Sequence, residues 1–142
     1  MIEQTLDIAT ENGSMETFIC RPERGGPFPV VLLLMDAPGI REELRDMARR
    51  LGTVGYYVLL PNLYYRAGRD TIFGPDVLEQ GSAERERMRA VRTKMTIPPV
   101  LEDVAALLAF ADGQRDARPW ACRGTRLLHE RAVCAGRGGT IS

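Results

Sequence analysis

The sequence predicts an α/β fold in which antiparallel leader strands precede a parallel β-α-β sheet. Two observations support this prediction. Apolar runs at 28–35 and 56–60 are separated by an amphipathic segment, and a hairpin-like pattern precedes them. A strand, a helix and a second strand in this order form a right-handed crossover between parallel strands. The 142 residues are enough for one domain.

The leader is predicted to be two antiparallel edge strands that are joined at Asn12-Gly13, a pair that favours a tight hairpin turn. Residues 2–9 alternate between apolar and polar side chains, which is typical of a strand with one buried face. A loop is expected at 21–27, because this segment contains two prolines and two glycines. The second strand is predicted to contain the apolar residues after the turn: Met15, Phe18 and Ile19.

The β-α-β unit is predicted to have two buried strands around one helix. Residues 28–35 are apolar throughout, as in a strand that is covered on both faces, and residues 56–60 repeat this pattern. Between them, residues 42–51 predict a helix, which Gly52 or Gly55 is expected to end. The apolar face of this helix has helical spacing and consists of Leu44, Met47, Ala48 and Leu51.

The segment 66–96 is polar and is predicted to be either irregular or, around 84–94, a short charged helix. A clearer helix is predicted over 100–110. Two prolines precede it, and Glu102 and Asp103 are expected in its first turn, where carboxylates interact favourably with the helix dipole. Its buried stripe is predicted to be Leu101, Val104, Ala105 and Leu108.

Composition argues against several classes of function. The 19 basic and 19 acidic residues balance, which argues against nucleic acid or an anionic membrane surface as a partner. No apolar run approaches the ~20 residues of a membrane-spanning helix. Three cysteines without metal-binding spacing argue against a metal site and favour a cytoplasmic location. Neither GxGxxG after a strand nor a P-loop occurs, so no cofactor is expected.

Asp36 directly follows the first apolar run and opens the sequence Asp-Ala-Pro-Gly. In parallel sheets, binding and catalytic groups lie at the carboxyl ends of the strands, so Asp36 is a candidate functional carboxylate. The alternative is that Asp36 only forms a turn, since Asp, Pro and Gly are residues that turns favour. The residues alone leave both interpretations open and favour the turn.

The sequences of two segments, 35–41 and 56–68, resemble the dienelactone hydrolase family of α/β-hydrolases. The second segment contains Pro-Asn-Leu-Tyr-Tyr. The resemblance covers residues 1–117 and implies the N-terminal half of an α/β-hydrolase fold, which is therefore incomplete here. It also implies an ester or lactone hydrolase that forms an acyl-enzyme through a Cys- or Ser-His-Asp triad.

The resemblance also implies roles for individual residues. Asp36 would be the acid near the nucleophile, a position that is normally Glu, and the backbone N–H of Ala37 would be one of two oxyanion donors. Substrates would be small, anionic esters or lactones. Basic residues hold a substrate carboxylate in this family. The candidates in this chain are Arg66, Arg85 and Arg87. The alternative for each of them, which is favoured, is an ordinary solvated surface arginine.

From residue 118 to 142 the sequence departs from the family pattern, and we expect an irregular tail. The family has a buried strand and then a nucleophile elbow here, Gly-x-Cys-x-Gly or Gly-x-Ser-x-Gly, and this chain contains no such elbow. We therefore expect a truncated, inactive form with no nucleophile, which also lacks the downstream acid and His. Cys122, Cys134 and His129 are not expected to be catalytic.

The genetic code suggests a reason for the departure. Codons for residues 126–132, translated one nucleotide later, permit Gly-Tyr-Cys-Met-Ser-Gly, an elbow like that of the family. Codons for 120–125 permit Gly-x-Val-Gly-Val, a strand. We therefore predict a frameshift, in the gene or in its sequencing, at or just before Trp120.

Two other functions are consistent with the fold. One is a non-catalytic α/β binding or interaction domain. The other is a small flavodoxin-like binding protein, against which the missing phosphate-binding loop argues.

Overall fold

The computed structural model describes residues 1–69 and 71–118. Residues 119–142, with the predicted irregular tail and its Cys122, His129 and Cys134, lie outside the described residues. The elements are β1 (Ile2–Thr10), β2 (Gly13–Arg21), β3 (Val30–Leu32), α1 (Glu42–Thr53), β4 (Tyr57–Pro61), α2 (Ala83–Thr93) and α3 (Ile97–Asp112), with single 3-10 turns at Tyr65–Ala67 and Pro75–Leu78.

The four strands form one mixed sheet in the order β1-β2-β4-β3. β2 is antiparallel to both β1 and β4, whereas β3 and β4 are parallel. The predicted combination of an antiparallel leader and a parallel β-α-β unit is therefore confirmed. The prediction of two edge strands was wrong for β2. It lies inside the sheet, where residues 17–20, which are Thr17 and three apolar residues, are buried on both faces.

Each face of the sheet carries its own core, and the side chains of β4 alternate between the two faces. Tyr57 and Leu59 belong to the cluster that includes Leu107 and Ala111 of α3. Val58 and Leu60 belong to the cluster on the opposite face, which includes Leu44 and Ala48 of α1. β4 is buried along its whole length, as predicted.

β3 is shorter than the apolar run at 28–35 predicts, and part of that run is exposed to solvent. Its ladder with β4 covers three residues and is extended by one hydrogen bond, from the Leu33 N–H to the Leu59 C=O at 2.9 Å. Val30 is buried, but Leu34 is 45% exposed. β3 borders the four-stranded sheet on one side, and an edge strand has fewer neighbours to cover its faces.

One bridge continues the sheet beyond the start of β3. The Phe28 N–H donates to the Asp116 C=O at 2.8 Å, and the Arg118 N–H donates to the Phe28 C=O at 2.6 Å. The bridge between Phe28 and Ala117 is parallel. The chain after α3 therefore enters the sheet beside β3 and runs in the same direction.

The helices lie near their predicted positions, but their bounds and buried residues differ from the predictions. Gly52 does not end α1, because the helix continues to Thr53. Gly52 packs closely against β2, since a Cβ added to it would lie 3.3 Å from the Cys20 sulfur. The charged segment after residue 83 forms a helix, α2, rather than an irregular loop. In the described part of the chain, each helix is too short or too polar to cross a membrane.

α3 differs most from its prediction. It begins three residues earlier, at Ile97, so its two prolines lie in the first turn and Glu102 and Asp103 lie beyond it. The predicted stripe was wrong except for Leu108. The buried residues of α3 are Asp103, Leu107, Leu108 and Ala111.

Candidate active site

The loops that follow β3 and β4 lie side by side, because the two strands are parallel neighbours and their carboxyl ends share one edge of the sheet. One hydrogen bond joins the loops. The Tyr64 hydroxyl donates to the Ala37 C=O at 2.7 Å. The structure therefore brings Asp36 and Ala37, the two site residues predicted from sequence, next to the residues that follow β4.

Asp36 both forms a turn and carries an ion pair. Its C=O accepts a hydrogen bond from the Gly39 N–H at 3.0 Å. Gly39 has a φ of 88°, which favours glycine. The Asp36 carboxylate accepts hydrogen bonds from both terminal nitrogens of Arg41, Nη1 and Nη2, the latter at 2.8 Å. The turn interpretation is thus correct, and it leaves the carboxylate at the surface.

The Asp36 carboxylate is held in its ionised form. The hydrogen bond from Arg41 lowers the pKa of Asp36 below its ordinary value, and the positive charge of Arg41 adds to this effect. The side chains of Asp36 and Arg41 are 48% and 40% exposed. The Asp36 carboxylate, although paired with Arg41, therefore lies at the edge of the site where water and a ligand can reach it.

Ala37 contributes its backbone. Its C=O is occupied by the Tyr64 hydroxyl, whereas its N–H donates no hydrogen bond within residues 1–69 and 71–118. A backbone N–H at the carboxyl end of a parallel strand, free of other partners, is suited to binding an oxyanion.

Tyr64 is buried although it follows a strand at the rim of the site, with only 2% of its surface exposed. Its N–H donates to the Asn62 Oδ1 at 3.0 Å, and its ring meets that of Phe73 edge to face at 6.0 Å. Burial raises the pKa of Tyr64, so its hydroxyl keeps its proton at neutral pH.

Asp103 is a buried carboxylate that the sequence analysis misplaced. It is fully buried on α3 and accepts hydrogen bonds from the Arg66 Nη1 and Nη2 atoms at 2.9 and 3.0 Å. The Tyr65 hydroxyl donates to Asp103 at 2.8 Å and lies 2.8 Å from the Thr10 Oγ1. This network joins α3 to the loop after β4 and to the end of β1.

A signal for this network was present in the sequence. Asp103, Leu107 and Ala111 are spaced by four residues, so Asp103 lies on an apolar face of the helix. A carboxylate in that position requires a partner, because an unpaired buried charge is very costly. Arg66 is that partner, and its hydrogen bond with Asp103 raises the pKa of Arg66.

All three arginines that were candidates for binding a substrate carboxylate have partners within the protein. Arg66 binds Asp103. The Arg85 Nη1 atom donates to the Leu78 C=O at 3.0 Å. Arg87 pairs with Glu84 at 2.9 Å, and its guanidinium lies 4.9 Å from the centre of the Phe73 ring.

A small cavity of about 80 Å³ lies between the loop after β4 and the end of α2. The residues that line the cavity are Leu63, Tyr64, Arg66, Ala67, Val91, Lys94 and Met95.

In the described ranges, no three His, Cys, Asp or Glu side chains converge as metal ligands.

Comparison with known proteins identifies the family. The model of the dienelactone hydrolase family matches residues 15–119. The chain belongs to the dienelactone hydrolase family. Its mixed sheet and flanking helices are the first part of the α/β-hydrolase fold of that family.

Two curated relatives illustrate the match. A protein of Methylorubrum extorquens described as "Putative carboxymethylenebutenolidase" is 31% identical over 80% of this chain and 36% of its own length. An Escherichia coli protein with the same description is 37% identical over 43% of this chain and 23% of its own length. The chain thus spans about a third or less of these relatives.

Solved structures show the same fold. A Klebsiella pneumoniae protein described as "Putative Dienelactone Hydrolase" superimposes with a TM-score of 0.68 at 24% identity, over 83% of this chain and 46% of that one. A dienelactone hydrolase from Anabaena variabilis gives a TM-score of 0.54 at 14% identity, over 83% and 48% of the two chains.

Proposed function

We propose that residues 1–117 form the N-terminal half of an ester or lactone hydrolase that works through an acyl-enzyme intermediate. The observation that supports this most is that one loop, after the carboxyl end of β3, carries both an ionised carboxylate, that of Asp36, and a backbone N–H, that of Ala37, which has no partner in the described residues. The Ala37 N–H would stabilise the oxyanion of the tetrahedral intermediate. Removing one such donor costs roughly 2.7–4 kcal/mol of transition-state stabilisation in a well-studied protease.

Asp36 is proposed as the acidic residue near the nucleophile. Its pairing with Arg41 keeps it ionised, and its exposure leaves it accessible to a reacting group. Family membership, with relatives described as carboxymethylenebutenolidases, supports a small ester or lactone as the substrate. The proposed location is cytoplasmic.

We further propose that the chain as written is inactive because a frameshift replaces the nucleophile. The bridge between Phe28 and Ala117 supports this, because it is parallel and brings residue 117 to the sheet beside the segment that leads into β3, the point from which the family's next strand would follow. The shifted frame permits Gly-x-Val-Gly-Val at that point and an elbow cysteine after it. The written frame supplies neither.

Restoring the frame tests the proposal. Deleting one nucleotide just before codon 120 should give a longer protein that hydrolyses p-nitrophenyl acetate or a dienelactone, whereas the unaltered gene should give an inactive product. If the longer product folds but does not hydrolyse either substrate, the hydrolase proposal is wrong, and a non-catalytic binding domain becomes the better interpretation.

A further inference from the structure

One hydrogen bond connects the loop of Asp36 and Ala37 to the rest of the site on the β4 side. It runs from the Tyr64 hydroxyl to the Ala37 C=O at 2.7 Å. Tyr64 is itself fixed, since its N–H binds the Asn62 side chain and its ring packs against Phe73. In the described residues, the segment after β4 is therefore hydrogen-bonded to the loop after β3 through the phenol of Tyr64.

The geometry points to Tyr64 as a positioning residue for the oxyanion donor, an inference that rests on the proposed function. Several hydrogen bonds restrain this turn. Arg41 binds the Asp36 carboxylate and the Gly39 C=O. Nearest to the Ala37 N–H, the Gly39 N–H binds the Asp36 C=O, and Tyr64 binds the Ala37 C=O. The Ala37 N–H lies between these restraints and has no partner of its own in the described residues. Its direction is therefore set by the groups on either side of it.

The hydroxyl, rather than the ring, supplies this restraint. The ring fills space beside Phe73 and Gly39, and phenylalanine would fill the same space. Because burial raises the pKa of Tyr64, the phenol remains a donor throughout the neutral pH range. Tyr64→Phe therefore removes the restraint on Ala37 and keeps the packing.

Tyr65 provides a matched control. It is the adjacent tyrosine and is also buried, with 9% of its surface exposed. Its hydroxyl binds Asp103 and Thr10 instead of the loop. Tyr65→Phe therefore removes a phenol from the same short segment, with its hydrogen bonds to Asp103 and Thr10, without touching Ala37.

Amide hydrogen exchange in the full 142-residue chain measures the restraint. The reporter is the Gly39 amide, and the reference is the Leu33 amide, which binds the Leu59 C=O in the ladder between β3 and β4. Tyr64→Phe should raise the ratio of the Gly39 to the Leu33 exchange rate about fivefold, the loss expected for one ordinary hydrogen bond. Tyr65→Phe should not raise this ratio, because a general loss of stability speeds exchange of the Leu33 amide at least as much as that of the Gly39 amide.

The outcomes separate a local restraint from a general effect on folding. A ratio that is unchanged in Tyr64→Phe, or that rises equally in Tyr65→Phe, overturns the inference. In the frame-restored enzyme, Tyr64→Phe should lower kcat about fivefold and leave KM unchanged. An unchanged kcat there would also overturn it. If that enzyme has no activity at all, the proposed function fails, while the exchange ratio still decides whether Tyr64 positions the loop.

Discussion

Two aspartate–arginine pairs of the same chemistry lie in opposite surroundings in this molecule. Asp36 and Arg41 are five residues apart in one loop, and both are more than a third exposed. Asp103 and Arg66 are 37 residues apart, and the Asp103 side chain is fully buried. Exposed pairs contribute little to stability, whereas a buried charge that loses its partner is strongly destabilising.

The difference in burial suggests different roles for the two pairs: Asp36 is the proposed site residue, and Asp103 is a structural support. The pair of Asp36 and Arg41 can open or change partner at little cost, so its carboxylate is available to a reacting group. The pair of Asp103 and Arg66 cannot open without leaving a charge in the core. Arg66 is therefore better placed to hold the loop after β4 on α3 than to bind a substrate.

The largest expected effect comes from breaking the buried pair. Arg66→Met leaves the fully buried Asp103 carboxylate with the Tyr65 hydroxyl as its remaining described partner. We expect a loss of about 3–5 kcal/mol in the free energy of unfolding, measured in urea. Arg89→Met, which changes an exposed helix residue, should stay within about 0.5 kcal/mol and serves as the control. A loss below about 1 kcal/mol for Arg66→Met would show that water reaches Asp103.

A smaller effect is expected when the same network loses its phenol. Tyr65→Phe removes a hydrogen bond to a charged group and leaves both Arg66 contacts in place. We expect a loss of about 1.5–3 kcal/mol, measured by the same unfolding experiment. A loss as large as that of Arg66→Met would contradict the view that the guanidinium is the main partner of Asp103.

The smallest effect is expected at the exposed pair, and it depends on pH. Arg41 lowers the pKa of Asp36 in the folded state, so the pair stabilises the protein above the unfolded pKa of about 3.9. This stabilisation is lost as the pH falls through the lower folded-state pKa. Arg41→Met should cost less than about 1 kcal/mol at pH 7 and nothing once Asp36 is protonated.

The titration of Asp36 by NMR checks this prediction directly. In Arg41→Met the pKa of Asp36 should rise towards its ordinary value, while the pKa in the unaltered chain stays below it. An Asp36 pKa that does not change on removal of Arg41 would mean that another group holds the carboxylate.

The two aspartate–arginine pairs also show which features of the structure could be predicted from the sequence. The β-α-β unit and its leader followed from apolar periodicity and turn residues, and Asp36 was located because it directly follows an apolar run. Asp103 was misplaced because its role depends on Arg66, which is distant in sequence, and on where α3 begins. Periodicity could show that Asp103 lies on an apolar face, but not which cation meets it there.

β2 and β3 show a similar limit. Their strand character is local and was predicted, but their places in the sheet depend on pairing between distant segments. β2 pairs with β4 as well as β1, which no local pattern of β2 indicates. The coupling of Tyr64 to Ala37 is equally non-local, since it joins two loops that are 27 residues apart.

The most direct test of the account is the hydrolytic activity of the 142-residue protein as written. It carries the Ala37 N–H and the Asp36 carboxylate of the proposed site but no nucleophile elbow. We predict that the purified protein hydrolyses p-nitrophenyl acetate no faster than the protein-free buffer. Turnover that survives repurification and disappears in Asp36→Ala would contradict this prediction, because the written chain would then contain a complete catalytic site.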